Sequence, residues 1–223
     1  MSAQQLSFYQ TTIGKKVVMA ISGVILIGFV IGHMAGNLQI FLGAEKLDAY
    51  AEFLHSMPAL LWGARVVLLI SVFAHFWSAF SLWQQNKAAR PQGYARQVNQ
   101  KTTYAARTMR WGGVIVLLFI VYHLLHLTVG APVAGYEIVH GKVYDNVVNG
   151  FSNPAIAGFY ILAQACLGLH LFHGTWSLMQ TLGLNHDKYN ATRRKIATGV
   201  SLLITVGNIS IPVAVLAGLL SNT

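Results

Sequence analysis

Five long apolar stretches constrain this chain more than any other feature. Residues 17–42, 111–133, 154–184 and 196–220 contain no Asp, Glu, Lys or Arg, and 58–83 contains only Arg65. A hydrocarbon layer about 30 Å thick needs roughly 20 apolar helical residues to cross it, and each stretch meets that demand. Of the 223 residues, 55% are hydrophobic and 9% charged, whereas a water-soluble domain carries about 25% charged residues. That balance excludes a soluble globule, and sparse charge with abundant apolar surface excludes disorder. One cysteine, Cys166, leaves no room for a disulfide framework or a Cys-rich zinc or iron–sulfur site within the chain. The expectation is an all-α polytopic membrane protein with five transmembrane helices, forming a single membrane domain over 1–223. Span one follows basic residues, as a signal peptide would, but it exceeds a typical h-region and is read as retained.

Charge sets the orientation, because short cytoplasmic loops accumulate Lys and Arg. Lys15 and Lys16 precede span one. Lys87, Arg90, Arg96, Lys101, Arg107 and Arg110 follow span two, and Lys188, Arg193, Arg194 and Lys195 follow span four. Twelve of the fifteen basic residues therefore share one side. The other side keeps Lys46, Arg65 and Lys142 with Glu45, Asp48, Glu52, Glu137 and Asp145. The N-terminus is predicted inside and the C-terminus outside, in a bacterial cytoplasmic membrane. The net charge of +9 thus sits at membrane boundaries, which argues against nucleic acid and for anionic headgroups. Loops 84–110 and 183–195 also suit an acidic soluble partner. The Gly-, Tyr- and Asn-rich stretch 130–153 reads as a cap on the outer surface without a motif of its own.

Within the spans the only other basic residues are histidines. His33 lies in span one, His75 in span two, His123 and His126 in span three, and His170 and His173 in span four, while span five has none. Ionisable groups inside a bilayer are costly and mark function. One buried histidine is readily explained as an interhelical hydrogen-bonder, but four successive helices each carrying one are not. Paired imidazoles across a helical bundle suit bis-histidine haem ligation in an apolar interior. No Cys-x-x-Cys-His run is present, so such a haem is non-covalent. Zinc or di-iron is disfavoured because the spans hold no carboxylate. Counting residues at 1.5 Å each pairs His33 with His123 nearer the outside and His75 with His170 nearer the inside, offset by about one or two turns. His126 and His173 stand three residues beyond His123 and His170 on nearly the same face, and position alone leaves them open as alternates. The first four helices thus form a predicted dihaem-binding bundle.

These residues also resemble a known family. The stretch Gly158 to Gly183, GFYILAQACLGLHLFHGTWSLMQTLG, is similar to span four of the dihaem cytochrome b subunits (b558 type) that anchor bacterial succinate dehydrogenases and fumarate reductases. The run Gly32-His33-Met34-Ala35-Gly36-Asn37, the Ala74-His75-Phe76 region and Tyr122-His123 extend the likeness across the spans in order. The resemblance implies two b haems with His33, His75, His123 and His170 as axial ligands, and His126 and His173 as their neighbours. It further implies a quinone, in this family often menaquinone, and two partners on the cytoplasmic face. These are a flavoprotein with covalent FAD, where succinate and fumarate interconvert, and an iron–sulfur protein. Some similar fumarate reductases use a span-four glutamate two residues before the axial histidine for proton transfer; here Gly168 stands there.

A quinone site needs an apolar slot with groups that hydrogen-bond the carbonyls and deliver protons. Glu52, His55 and Arg65, around the start of span two, are the polar residues available near the outer pair. Trp77 and Trp176 lie close enough in sequence to the ligands to line haem edges. Gly23, Gly28, Gly32 and Gly36 leave room along span one for a helix or a flat macrocycle. Two other readings compete: an anchor without haem, and the cytochrome b of another respiratory complex such as a hydrogenase or formate dehydrogenase.

Overall fold

The computed structural model describes residues 7–89, 92, 102–131 and 138–222. Arg90, Arg96 and Lys101 of the basic loop, and Glu137 opposite, lie outside the described residues. Among the described residues seven α-helices follow in order: α1 Thr12–Asn37, α2 Ala44–His55, α3 Pro58–Ala88, α4 Tyr104–Leu124, α5 Val143–Ser152, α6 Pro154–Thr181 and α7 Asn190–Leu216. No strand occurs among the described residues. Five helical segments are long and apolar enough to cross a membrane: Thr12–Leu42, Pro58–Ala88, Tyr104–Val129, Pro154–Thr181 and Asp187–Leu216. All but Pro154–Thr181 extend past the apolar windows at their basic ends, where Lys15, Lys87, Arg107 and Arg193 are themselves helical. Long basic side chains allow this because their stems lie along apolar surface while the charge reaches outward.

Local chemistry starts and stops these helices. Thr11 caps α1 by accepting from Gly14 N at 2.9 Å, Thr103 caps α4 from Ala106 N at 3.2 Å, and Asn153 caps α6 from Ala155 N at 3.0 Å. Such caps satisfy amide donors that a helix start leaves free. Pro58 and Pro154 sit in the first turns of α3 and α6, where a missing N–H costs nothing. Span four ends as Gly183 takes φ 85° and Leu184 N returns to Met179 O at 2.9 Å, a glycine-terminated helix end.

Packing divides the bundle. α3 lies against α1, and α4 lies against α6, which in turn packs along α7. The α1–α3 pair meets the α4–α6–α7 group mainly where α1 touches α6 and α7. The principal core cluster includes Ile40, Leu47, Phe119, Tyr144, Val148, Phe151, Tyr160 and Ile211. It fills the end away from the basic loops, under α2 and α5. A smaller cluster of Met34, Leu171 and Ile204 joins α1, α6 and α7.

Two short helices replace what the sequence reads as connecting loops. Within the stretch 130–153, Val143–Ser152 forms α5, and α2 packs against it. Asp48 Oδ1 accepts from the Tyr144 amide at 2.9 Å, and Asn146 bonds both N and O of Val139 at 3.0 and 2.8 Å. Val148 and Phe151 are 2% and 5% exposed. Burying each such side chain contributes about 1.5–3 kcal/mol, against about 0.5–1.5 kcal/mol for a hydrogen bond. Apolar burial therefore dominates the hold on α5, and the bonds set its register.

Candidate functional site

Two histidine couples face each other across the divide in the bundle. The rings of His33 on α1 and His123 on α4 have centroids 5.8 Å apart and lie nearly perpendicular, at 87°. The rings of His75 on α3 and His170 on α6 are 6.1 Å apart at 57°. Each couple takes one ring from the α1–α3 pair and one from the α4–α6 pair, so each bridges the two halves. Among the described residues no group of three His, Cys, Asp or Glu gathers as a metal site. A two-imidazole donor set cannot complete a tetrahedral metal; it suits an iron whose equatorial ligands come with a macrocycle.

Spacing agrees with that donor set. Two metal–imidazole bonds of about 2 Å each, with about 1 Å from nitrogen to ring centre, separate axial ring centroids by roughly 6 Å. His75 is also held in the required tautomer. Its Nδ1 lies 3.0 Å from the Met19 carbonyl oxygen, which can only accept, so Nδ1 carries the proton and Nε2 keeps its lone pair. Ser22 Oγ lies 3.3 Å from the same nitrogen. A second partner of this kind fixes ring orientation and raises ligand basicity. Glycines border both rings of the couple. A Cβ on Gly23 of α1 would lie 3.5 Å from His75 Cε1, and one on Gly113 of α4 would lie 3.7 Å from His170 Cε1.

At the other couple the support is a side chain. Tyr160 Oη on α6 lies 2.8 Å from His126 Nδ1 and 3.4 Å from His123 Nδ1. His126 is 1% exposed and falls in a π-turn, Leu125–Val129, that continues α4 to Gly130. Such turns recur at functional sites because they re-aim a side chain. His126 therefore stands beside the couple, against Tyr160 and Tyr122, while His123 faces His33. His173 is half-buried one turn beyond His170.

The couples are well separated along the bundle. Tyr160, at the first couple, precedes His170 by ten residues on α6, and Gly113, at the second, precedes His123 by ten on α4. Both spacings amount to about 15 Å of helix. Residue counting had offset the couples by one or two turns; packing makes it nearly three, because the contacts of α4 and α6 locate each couple without reference to helix ends.

Other expected site residues stand apart. Glu52 and His55 are exposed on α2, and His55 Nδ1 lies 2.8 Å from the Ala51 carbonyl. Arg65 stacks its guanidinium 4.8 Å from the Trp62 ring centroid. Trp77 is 47% exposed and stacks on Phe73 with ring centroids 6.1 Å apart. Trp176 lies under the Arg193 guanidinium at 4.7 Å. Along span one, a Cβ on Gly23 would meet the His75 ring and one on Gly36 would meet Tyr50, whereas one on Gly28 or Gly32 would meet nothing within 4 Å. Sequence reasoning missed Met19 and Ser22 as contributors, and it quoted Tyr160 only within the span-four run. A main-chain carbonyl leaves no sequence signal.

A family model described as the succinate dehydrogenase/fumarate reductase transmembrane subunit matches residues 86–209. The matched stretch contains His123, His126, His170 and His173. The chain is also 26% identical, over 185 residues, to the succinate dehydrogenase cytochrome b558 subunit of Bacillus subtilis (strain 168). That alignment covers 82% of this chain and 85% of the relative. No solved structure matches significantly.

Proposed function

The chain belongs to the succinate dehydrogenase/fumarate reductase transmembrane-subunit family, and from that premise we propose that it is a cytochrome b anchor carrying electrons through two b haems between a cytoplasmic iron–sulfur subunit and membrane quinone. The observation that carries this reading is the pair of facing histidine couples, each spanning the divide between α1–α3 and α4–α6. His75 and His170 hold the haem nearer the basic end, and His33 and His123 hold the other. Haem supplies the one-electron iron couple when bound. The Met19 carbonyl keeps His75 in its Nδ1–H form, and Tyr160 orients His123 together with His126. The apolar helices around both couples exclude water, which favours ligation by neutral imidazole. His126 and His173 are neighbours of the ligands in this reading.

The basic end faces the cytoplasm in this proposal, following the Lys and Arg bias of its loops, within a bacterial cytoplasmic membrane. An iron–sulfur subunit and a flavoprotein with FAD dock there, and dicarboxylate chemistry belongs to the flavoprotein. Quinone, as menaquinone, is assigned to the end of the bundle that holds the His33–His123 couple, with Glu52, His55 and Arg65, on α2 and the first turns of α3, as its polar groups. The single membrane domain over 1–223 belongs to the same proposal.

Haem stoichiometry tests the reading. Wild type should show b-type bands and two haems per chain, and His33→Ala, His75→Ala, His123→Ala and His170→Ala should each lose one. Partners in a couple should lose the same haem, identified by its reduced-minus-oxidised band. A colourless wild type, or loss grouped in other pairs, would overturn it.

A further inference from the structure

Arg193, in the first turn of α7 at the basic end, is 4% exposed. One terminal nitrogen, Nη2, donates to Asn190 Oδ1, and the guanidinium lies 4.7 Å from the Trp176 ring centroid. Its Nε and Nη1 are buried without a hydrogen-bond partner. Asp187, the acid nearest in sequence, accepts from Asn190 Nδ2 at 3.0 Å. On α6, beside Trp176 in the chain, the Thr175 hydroxyl is likewise buried and unpartnered. A buried charge without a counter-charge is strongly unfavourable, and neither a neutral amide nor an aromatic face neutralises it. Nε and Nη1 lie on different edges of the guanidinium, so each is free to donate its own charge-assisted bond to an anion such as a carboxylate or phosphate.

The position selects the anion. Trp176 lies six residues past His170 on α6, about 9 Å toward the basic end. That is the order of distance from a haem iron to the carboxylates at the edge of its porphyrin. We propose that Arg193, assisted by Thr175, binds a carboxylate of the haem held by His75 and His170. This rests on the dihaem reading above. A phosphate from an anionic lipid has the same chemistry, but Arg193 is almost wholly covered, whereas a porphyrin carboxylate reaches it from within the bundle.

The test uses full-length protein prepared without haem and titrated with haem b or haem b dimethyl ester, whose carboxylates cannot ionise. At the His75–His170 site, wild type should bind the ester roughly tenfold to a hundredfold more weakly than the acid. Arg193→Gln should erase that discrimination, and Arg193→Lys should restore part of it. Occupancy of the His33–His123 site in the same samples reports that each variant is folded. Should Arg193→Gln fail to fold, the wild-type comparison decides alone. Equal binding of acid and ester by wild type, or equal discrimination in Arg193→Gln, overturns the proposal. So does an Arg193 effect seen only in nanodiscs containing phosphatidylglycerol, which would assign the seat to lipid. A wild type that binds no haem rejects the dihaem reading as well; one that binds two without sensing the ester rejects this inference alone.

Discussion

The far nitrogen of a ligating imidazole decides which nitrogen remains free and how basic it is, and here the two couples differ. His75 donates to the main-chain carbonyl of Met19, an acceptor that no side-chain substitution removes. His123 depends on the Tyr160 hydroxyl, which stands closer to His126. Tyr160→Phe should therefore perturb only the haem of the His33–His123 couple. Loss of such outer partners weakens metal binding by roughly 10–100-fold, so that haem should dissociate more readily while the other stays in place. Haem titration resolved by band position checks this, and equal loss from both sites would refute it. Glu52 and His55 answer to a different measurement. If quinone is reduced beside them, Glu52→Gln and His55→Ala should depress quinone-linked turnover with haem content intact. Unchanged quinone kinetics in both would remove these residues from the site.

The α6–α7 contact explains an absence in the chain. Ser201 Oγ donates to the Gly168 carbonyl at 2.6 Å, and Asn208 Nδ2 donates to Gln164 Oε1 at 3.2 Å. Polar side chains join membrane helices in this way because lipid offers no competing partner. A Cβ on Gly168 would lie 2.3 Å from Thr205 Oγ1, so α7 occupies the space that a side chain there would need. The glutamate that some similar fumarate reductases carry at this position would have to displace the Thr205 side chain of α7. Gly168→Ala should destabilise the protein by about 1–3 kcal/mol through overpacking, measured as a lower melting temperature in detergent; an unchanged melting temperature would show that α7 yields freely. Helices α2 and α5 were the elements least legible in advance. Tyr144, Val148 and Phe151 sit among Asn and Gly in a segment that reads as a loop, and only their burial against the bundle makes it a helix.

At the scale of the whole molecule, the docking proposed for the basic end has a measurable consequence. Exposed Lys188, Arg194 and Lys195 stand beside the ends of α6 and α7, and attraction between exposed charges falls as the screening length shrinks from about 10 Å at 0.1 M salt to about 3 Å at 1 M. The soluble subunits should therefore dissociate more readily at high salt, and Arg194→Glu with Lys195→Glu should weaken assembly at low salt, read by co-purification; salt-independent assembly would mean an apolar interface instead. The sequence by itself determined the five crossings, the side on which charge collects, and the six histidines confined within the bilayer, because the thickness of hydrocarbon and the cost of charge act on each segment separately. Which ring faces which, that Met19 and Tyr160 hold them, that Gly168 abuts Thr205 and that Arg193 is buried with two unpartnered nitrogens were decided only by the tertiary structure. The rotation and tilt of a helix are set by its neighbours, and no single segment contains them.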